Sequence, residues 1–292
     1  MNRIKGILYA AVSSSTFGLA PFFSITLLLA GFSAFEVLSY RWGVASIVLI
    51  VFGWLSGCNF RLAGKDWGGV FLLSLLRAVT SFSLIIAYQN IASGVASTIH
   101  FMYPLAVALA MMFFFREKKS LLVILAVLMS LLGAALLSLG ELEAKSGNTM
   151  VGLVAACVSV FSYAGYIVGV RTTRAVQINS TALTCYVMGL GTIFYLIGAY
   201  CTSGLQLVSD GYTWLIILGL ALPATAISNI TLVQAIKYAG PTLTSILGAM
   251  EPLTAVVIGV FVFKELFTVN SAVGIILILL AVSIVVFRRQ KS

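Results

Sequence analysis

Arg77 and Glu251 are the residues from which the chemistry of this chain is best read. Each lies inside a long apolar run, about ten and about eleven residues from its end, which at 1.5 Å per residue is near the middle of a bilayer. An isolated charge there costs several kcal/mol, about 3 by the lower scales. Two opposite charges at one depth suggest two arrangements. They could form a structural ion pair, or they could divide a zwitterion between them. In the second arrangement the Arg77 fork takes a carboxylate and Glu251 takes an amine or a proton. A Glu-Pro step such as Glu251-Pro252 could also serve helix architecture alone.

Other polar residues gather at comparable depth. Ser93, Ser97, His100 and Pro104 recur at i, i+4, i+7 and i+11, a single helical stripe. Pro241, Ser245, Gly248 and Pro252 repeat that stripe later in the chain. Each proline withholds a backbone hydrogen bond and frees a carbonyl that could face a ligand. His100 has a side chain whose ordinary pKa lies near neutrality, which makes it the candidate proton-coupling group; packing is the alternative. Tyr88 shares a face with Arg77, Thr80 and Ser81, while Tyr163 and Tyr166 share one with Ser159 and Ser162. Tyr103 precedes Pro104, and Asn229 belongs to a polar patch with Thr225 and Ser228. The candidate ligand contacts are therefore Arg77, Glu251, His100, Tyr103, Ser97 and Thr80, together with Tyr88, Tyr163, Tyr166, Asn229 and Ser245. Pro104, Pro252 and Pro21 are the candidate kinks. Arg41 is expected to be structural, paired with Glu36 or a neighbouring helix.

The elements that must hold these residues follow from composition. Of 292 residues, 61% are apolar and 9% are charged, and the mean hydropathy is +1.12. Soluble domains carry roughly 45–50% apolar and about 25% charged residues. The chain is thus an all-α integral membrane protein by expectation. A spanning helix needs about 20 apolar residues, and ten runs qualify, near 6–29, 33–56, 67–88, 92–115, 120–139, 149–169, 179–202, 212–236, 240–263 and 270–288. Of the seventeen Lys and Arg, thirteen fall in loops on the side of the N-terminus, while two (Lys145 and Lys264) fall on the opposite side. The remaining two, Arg41 and Arg77, lie within spans. This bias places both termini in the cytoplasm. The net charge of +9 then reports cytoplasmic loops rather than nucleic acid. One His and four scattered Cys make no zinc pattern. No metal, cofactor or catalytic group is expected.

The chain also repeats itself. A shift of 148 aligns residues 93–120 with 241–268 without a gap. Ser97 meets Ser245, Met102 meets Met250, and Pro104 meets Pro252. Phe113, Phe115 and Glu117 meet Phe261, Phe263 and Glu265. A shift of 146 pairs Gly6, Ala10, Val12 and Ser13 with Gly152, Ala156, Val158 and Ser159. Residues 1–140 and 141–292 are therefore two repeats of five spans. Five is odd, so the second copy enters the membrane inverted, the architecture behind alternating access in many transporters.

The Pro-centred span with its aromatic end and basic-acidic pair occurs twice. It stands as Tyr103-Pro104 through Arg116-Glu117, and as Glu251-Pro252 through Lys264-Glu265. In these features the chain resembles the drug/metabolite transporter superfamily, in its EamA-type branch. The resemblance covers essentially the whole length. It implies ten helices, a central cavity and secondary transport of a small polar or amphipathic metabolite, here an amino acid or related compound, exported across the cell membrane. It also makes a monomer or weak homodimer the expected form. A channel-like facilitator or uniporter is the nearest alternative, and a non-transporting receptor or assembly protein a further one. An intramembrane enzyme lacks any supporting motif beyond Ser97 near His100.

The charge bias carries a direct test. A reporter fused after Ser292 should be active only as a cytoplasmic probe. Activity of an extracytoplasmic probe at that position would remove an odd number of spans and break the inverted repeat.

Overall fold

The computed structural model describes residues 2–91, 93–117, 120–138, 147–202, 204–261 and 268–288, and the regular structure among them is helical. In chain order the helices are α1 (Asn2–Phe17), α2 (Ala20–Leu29), α3 (Ala34–Leu55), α4 (Trp67–Asn90), α5 (Ser93–His100), α6 (Tyr103–Phe113) and α7 (Leu121–Ser138). They continue as α8 (Thr149–Thr172), α9 (Ser180–Thr202), α10 (Gly211–Ala221), α11 (Ser228–Ala239), α12 (Pro241–Leu247), α13 (Met250–Phe261) and α14 (Val269–Arg288). Among the described residues, helix is found within each of the ten predicted spans. Seven stretches among the described residues are long and apolar enough to cross a membrane, and α7 and α14 hold shorter apolar segments. Lys118, Lys119, Lys145, Phe263, Lys264, Glu265, Arg289 and Lys291, used in the charge count and the repeat alignment, lie outside the described residues.

Four of the five prolines fall at interruptions of these spans. Pro21 opens α2 after the Gly18–Leu19 turn, Pro104 opens α6 after Phe101–Met102, and Pro252 stands near the start of α13. Pro223 lies in a π-helical turn, Leu222–Ile227, between α10 and α11. The cause is the same each time. A proline inside a helix has no N–H to donate four residues back, and its ring crowds the preceding turn. The remaining proline, Pro241, begins α12 directly after Gly240, whose φ of 85° suits glycine.

The two halves pack as mates. The largest helix–helix interfaces are α4 with α8, α1 with α11, α3 with α9, and α7 with α14. Exchanging the halves turns the first pair into the second and maps each of the other two onto itself. The aligned glycines show the same correspondence. A Cβ at Gly6 would lie 2.8 Å from the Ala239 nitrogen at the end of α11. A Cβ at Gly152 would lie 2.6 Å from Ile91, just past the end of α4. Each repeat thus places its first span against the third span of the other through a side-chain-free contact. The α7–α14 pair sits at the edge and exposes Leu121, Leu125, Leu132, Val273 and Ile276. The scarcity of polar residues in both helices suits that position.

Loop contacts sort by parity. Arg174 pairs with Asp66 at 2.9 Å, Tyr186 donates to the Phe60 carbonyl at 2.7 Å, and Thr242 donates to Glu117 at 2.6 Å. All lie at the end bearing the excess of basic residues. At the other end, the Gln206 N–H donates to Glu36 at 2.7 Å and the Asn148 N–H to Asn90 at 3.0 Å. Ser33, Asn148 and Asp210 cap α3, α8 and α10 there. Thr213, through its N–H, holds the exposed Asp210 carboxyl below its ordinary pKa.

The two interrupted spans that are repeat mates meet at Gly248. A Cβ there would fall 1.8 Å from the Tyr103 hydroxyl. Gly248→Ala should therefore lower the thermal midpoint of the purified protein, with a cost of about 1–3 kcal/mol typical of overpacking. Adding Tyr103→Phe should recover part of that loss. An unchanged midpoint in Gly248→Ala would show that the junction has slack.

Candidate functional site

Arg77 on α4 and Arg41 on α3 are both buried, and both guanidinium groups lie over the ring of Phe17, at 5.3 and 5.5 Å from its centroid. Phe17 ends α1 where the first span breaks, so the break sets the ring beside both cations. Arg77 also lies over Tyr163 at 4.9 Å and Tyr166 at 5.9 Å. Cation–π contacts of this kind contribute roughly 0.5–2 kcal/mol.

The hydrogen-bond partners of both arginines are neutral. Arg77 Nε donates to Asn229 Oδ1 at 3.0 Å, and a terminal nitrogen reaches Ser81 Oγ at 3.5 Å. Arg41 Nε donates to Thr225 Oγ1 at 2.7 Å, with the Ala224 carbonyl at 3.4 Å. The π turn supplies this arrangement. Its wider winding lets Thr225 Oγ1 donate to the Leu220 carbonyl, five residues back, at 2.7 Å. The Thr225 carbonyl in turn accepts from Asn229 Nδ2 at 2.7 Å. Arg41, Thr225, Asn229 and Arg77 thus form one chain of contacts, and π turns recur at functional sites for this kind of re-aiming.

A narrow cavity opens onto the pair. Phe17, Ala20, Pro21, Ser24, Arg41, Arg77, Thr80, Ser81, Leu84, Ile85 and Tyr88 line it. It therefore sits between the broken first span and helices α3 and α4. Thr80 is braced by a hydrogen bond to Ser162 at 2.9 Å, and the Tyr88 hydroxyl lies 3.3 Å from Ser97 Oγ.

Next to Arg77, His100 stacks on Tyr163 with centroids 5.3 Å apart and also meets Tyr103 at 5.5 Å. Ser159 donates to the Ala156 carbonyl at 2.6 Å. With that proton committed, His100 Nδ1–H donates to Ser159 Oγ at 2.8 Å. His100 Nε2 and the Tyr166 hydroxyl are buried without a hydrogen-bond partner.

Of the residues expected at the site, Arg77, Thr80, Tyr88 and Pro21 line the cavity. Asn229, Tyr163, Tyr166, His100, Tyr103 and Ser97 surround these within one or two contacts. Ser245 instead donates to the Thr242 carbonyl within its own helix at 2.9 Å. Glu251 is half-buried near the first-span break, where a Cβ on Gly18 would lie 2.7 Å from its carbonyl. The structure separates some of the open alternatives. Among the described residues the one ion pair is Arg174–Asp66, so Arg77 and Glu251 are not bridged. Of the two partners expected for Arg41, it meets the neighbouring helix, through Thr225, and not Glu36, whose carboxylate accepts from Ser33 N–H at 2.8 Å and from Gln206. The Gly248 carbonyl, which Pro252 cannot serve, accepts the Glu251 N–H at 2.9 Å rather than standing free. Phe17 was missed altogether. Its aromatic type so close to Gly18 and Pro21 was the available signal.

The comparisons agree with this arrangement of two halves. The model of the EamA-like transporter family matches residues 4–139 and again residues 150–287. A solved structure titled "Crystal structure of protein" is similar over 100% of this chain and 99% of its own, with a TM-score of 0.81 at 18% identity. That likeness concerns the fold alone. A comparison with curated proteins finds no significant match.

The contact chain predicts a stability effect. Asn229→Leu leaves a buried Arg77 donor unpaired and should cost about 1–3 kcal/mol, read as a lower midpoint in thermal unfolding. Asn229→Gln, which keeps an amide, should lose less. Equal midpoints for wild type and Asn229→Leu would contradict the bracing role of Asn229.

Proposed function

Because the chain belongs to the EamA-like transporter family, a membrane transporter of the drug/metabolite type, we propose that it carries a small carboxylate-bearing metabolite, an amino acid or close relative, outward across the cell membrane. One observation carries this reading. Two buried guanidinium groups border a single cavity, and their partners are neutral oxygens and aromatic rings. A buried cation without a counter-charge is costly. A carboxylate entering the cavity relieves that cost through charge-assisted hydrogen bonds. Aromatic walls with a few converging polar groups are the usual make-up of a small-ligand site.

In this reading the two repeats are inverted across the membrane and both termini are cytoplasmic. The proline-centred breaks of the first, fourth and ninth spans let half-helices move separately. One end of the cavity opens as the other closes, around a fixed site. His100 and Glu251 are the candidate groups for proton coupling. The protein works as a monomer or a weak homodimer.

The test is flux in proteoliposomes loaded with radiolabelled amino acids. Wild type should give saturable transport. Arg77→Lys keeps the charge but loses the planar fork, so its rate should fall about tenfold or more while expression survives. Near-normal flux through Arg77→Ala would refute the proposed site.

A further inference from the structure

The cavity bordered by Arg41 and Arg77 is narrow, with room for about one water-sized occupant. A single small occupant therefore lies beside both guanidinium groups. No acidic residue lines the cavity, and among the described residues neither arginine has a carboxylate at ion-pair distance. A guanidinium carries five N–H donors. Here each Nε is taken by Thr225 or Asn229, and one terminal nitrogen of each makes a longer contact, at 3.4 Å to the Ala224 carbonyl or 3.5 Å to Ser81 Oγ. Most of the donors at the two forks are left over. Ser24 on α2 adds another. It is 1% exposed, lines the cavity and makes no side-chain hydrogen bond among the described residues. Thr80 differs, since it donates to the Leu76 carbonyl at 2.7 Å. Buried hydroxyls are ordinarily bonded, so the spare Ser24 proton and the spare guanidinium protons call for the same thing, an acceptor.

Water would accept those bonds but bring no charge, and two buried cations would stay uncompensated. A cation is repelled. An amino acid needs the flanking half-helices to part before it fits. A spherical anion meets every condition. It fits the space, supplies the counter-charge and accepts from several donors without regard to direction. We propose that the cavity, in this conformation, holds one small inorganic anion, a halide such as chloride, against Arg41 and Arg77, with Ser24 donating to it. The anion compensates the arginines while the cavity is narrow. A carboxylate entering the cavity must displace it. That displacement rests on the cavity being the substrate site, whereas the anion site itself does not.

The experiment follows the thermal midpoint of the full chain in phosphatidylcholine nanodiscs. Sodium chloride or sodium bromide is titrated at constant ionic strength against sodium isethionate, whose organic anion is too bulky for the cavity. Chloride NMR line broadening reads binding directly. In wild type, chloride and bromide should raise the midpoint saturably, because they bind the folded state, and isethionate should not. Arg41→Gln should weaken halide binding about tenfold or more. Ser24→Ala should weaken it about threefold, and it carries the reading should Arg41→Gln not fold. Arg174→Gln removes an exposed guanidinium at the basic end and should leave the halide response unchanged. No halide-specific shift or broadening in wild type would overturn the inference. So would wild-type halide affinity in both Arg41→Gln and Ser24→Ala, or loss of binding in Arg174→Gln, since each puts the anion on the surface. Halide binding without flux of any amino acid would uphold the anion site and overturn the carrier reading. Amino-acid flux without halide binding would overturn the anion site alone.

Discussion

The interior of this protein is organised around two guanidinium groups that a bilayer disfavours. Arg41 and Arg77 are among the most deeply buried charged residues described, at 4% and 1% exposure, and a charge at such depth persists only where partners compensate. Here they are hydroxyl, amide and carbonyl oxygens together with the faces of Phe17, Tyr163 and Tyr166. Among the described residues neither cation has a carboxylate at ion-pair distance. An internal carboxylate at bonding distance would have filled the same role permanently.

Much of the local backbone serves that arrangement. The π turn at Leu222–Ile227 brings the Thr225 hydroxyl and the Ala224 carbonyl to Arg41, and one turn later Asn229 meets Arg77. The break after α1 sets Phe17 beside both cations, and Gly18 allows α13 to come close. Irregular backbone is tolerated at membrane depth only where it is buried in protein or lines a cavity. The interruptions at Pro21, Pro104, Pro223 and Pro252 meet that condition by facing the interior. The outer pair α7 and α14, which has no such duty, runs without proline.

The cavity is lined by the first repeat, and the pseudo-symmetric packing brings the second repeat to the arginines that border it. The third span of one repeat lies along the first span of the other, and Gly6 of α1 and Gly152 of α8 allow both contacts. Arg77 therefore faces α8 tyrosines and an α11 asparagine, all from the second repeat. The halves have diverged at the junction itself. Tyr103 and Glu251 occupy matched positions, as do His100 and Gly248. One half contributes bulk and the other contributes the space that receives it, since the Tyr103 hydroxyl fills the place a Gly248 side chain would take.

Apolar run length, loop charge and the two in-register repeats determined the helical class, the positions of the spans and the pairing of the halves. These properties are local or periodic, and a bilayer enforces them strongly because every backbone polar group must be bonded within its own helix. The polar faces of α4 and α8 were legible for the same reason. The partners of those residues were decided by tertiary structure. The coupling of Arg41 to Thr225 spans 184 positions, and that of Arg77 to Asn229 spans 152. Neither can be read from spacing, since a helical period says which face a residue occupies but not which helix meets it. Charge complementarity left Arg77 with Glu251 and Arg41 with Glu36 as two of the open pairings. Packing chose neutral partners instead: Glu36 caps its own helix, the π turn brings Thr225 to Arg41, and Asn229 of α11 meets Arg77.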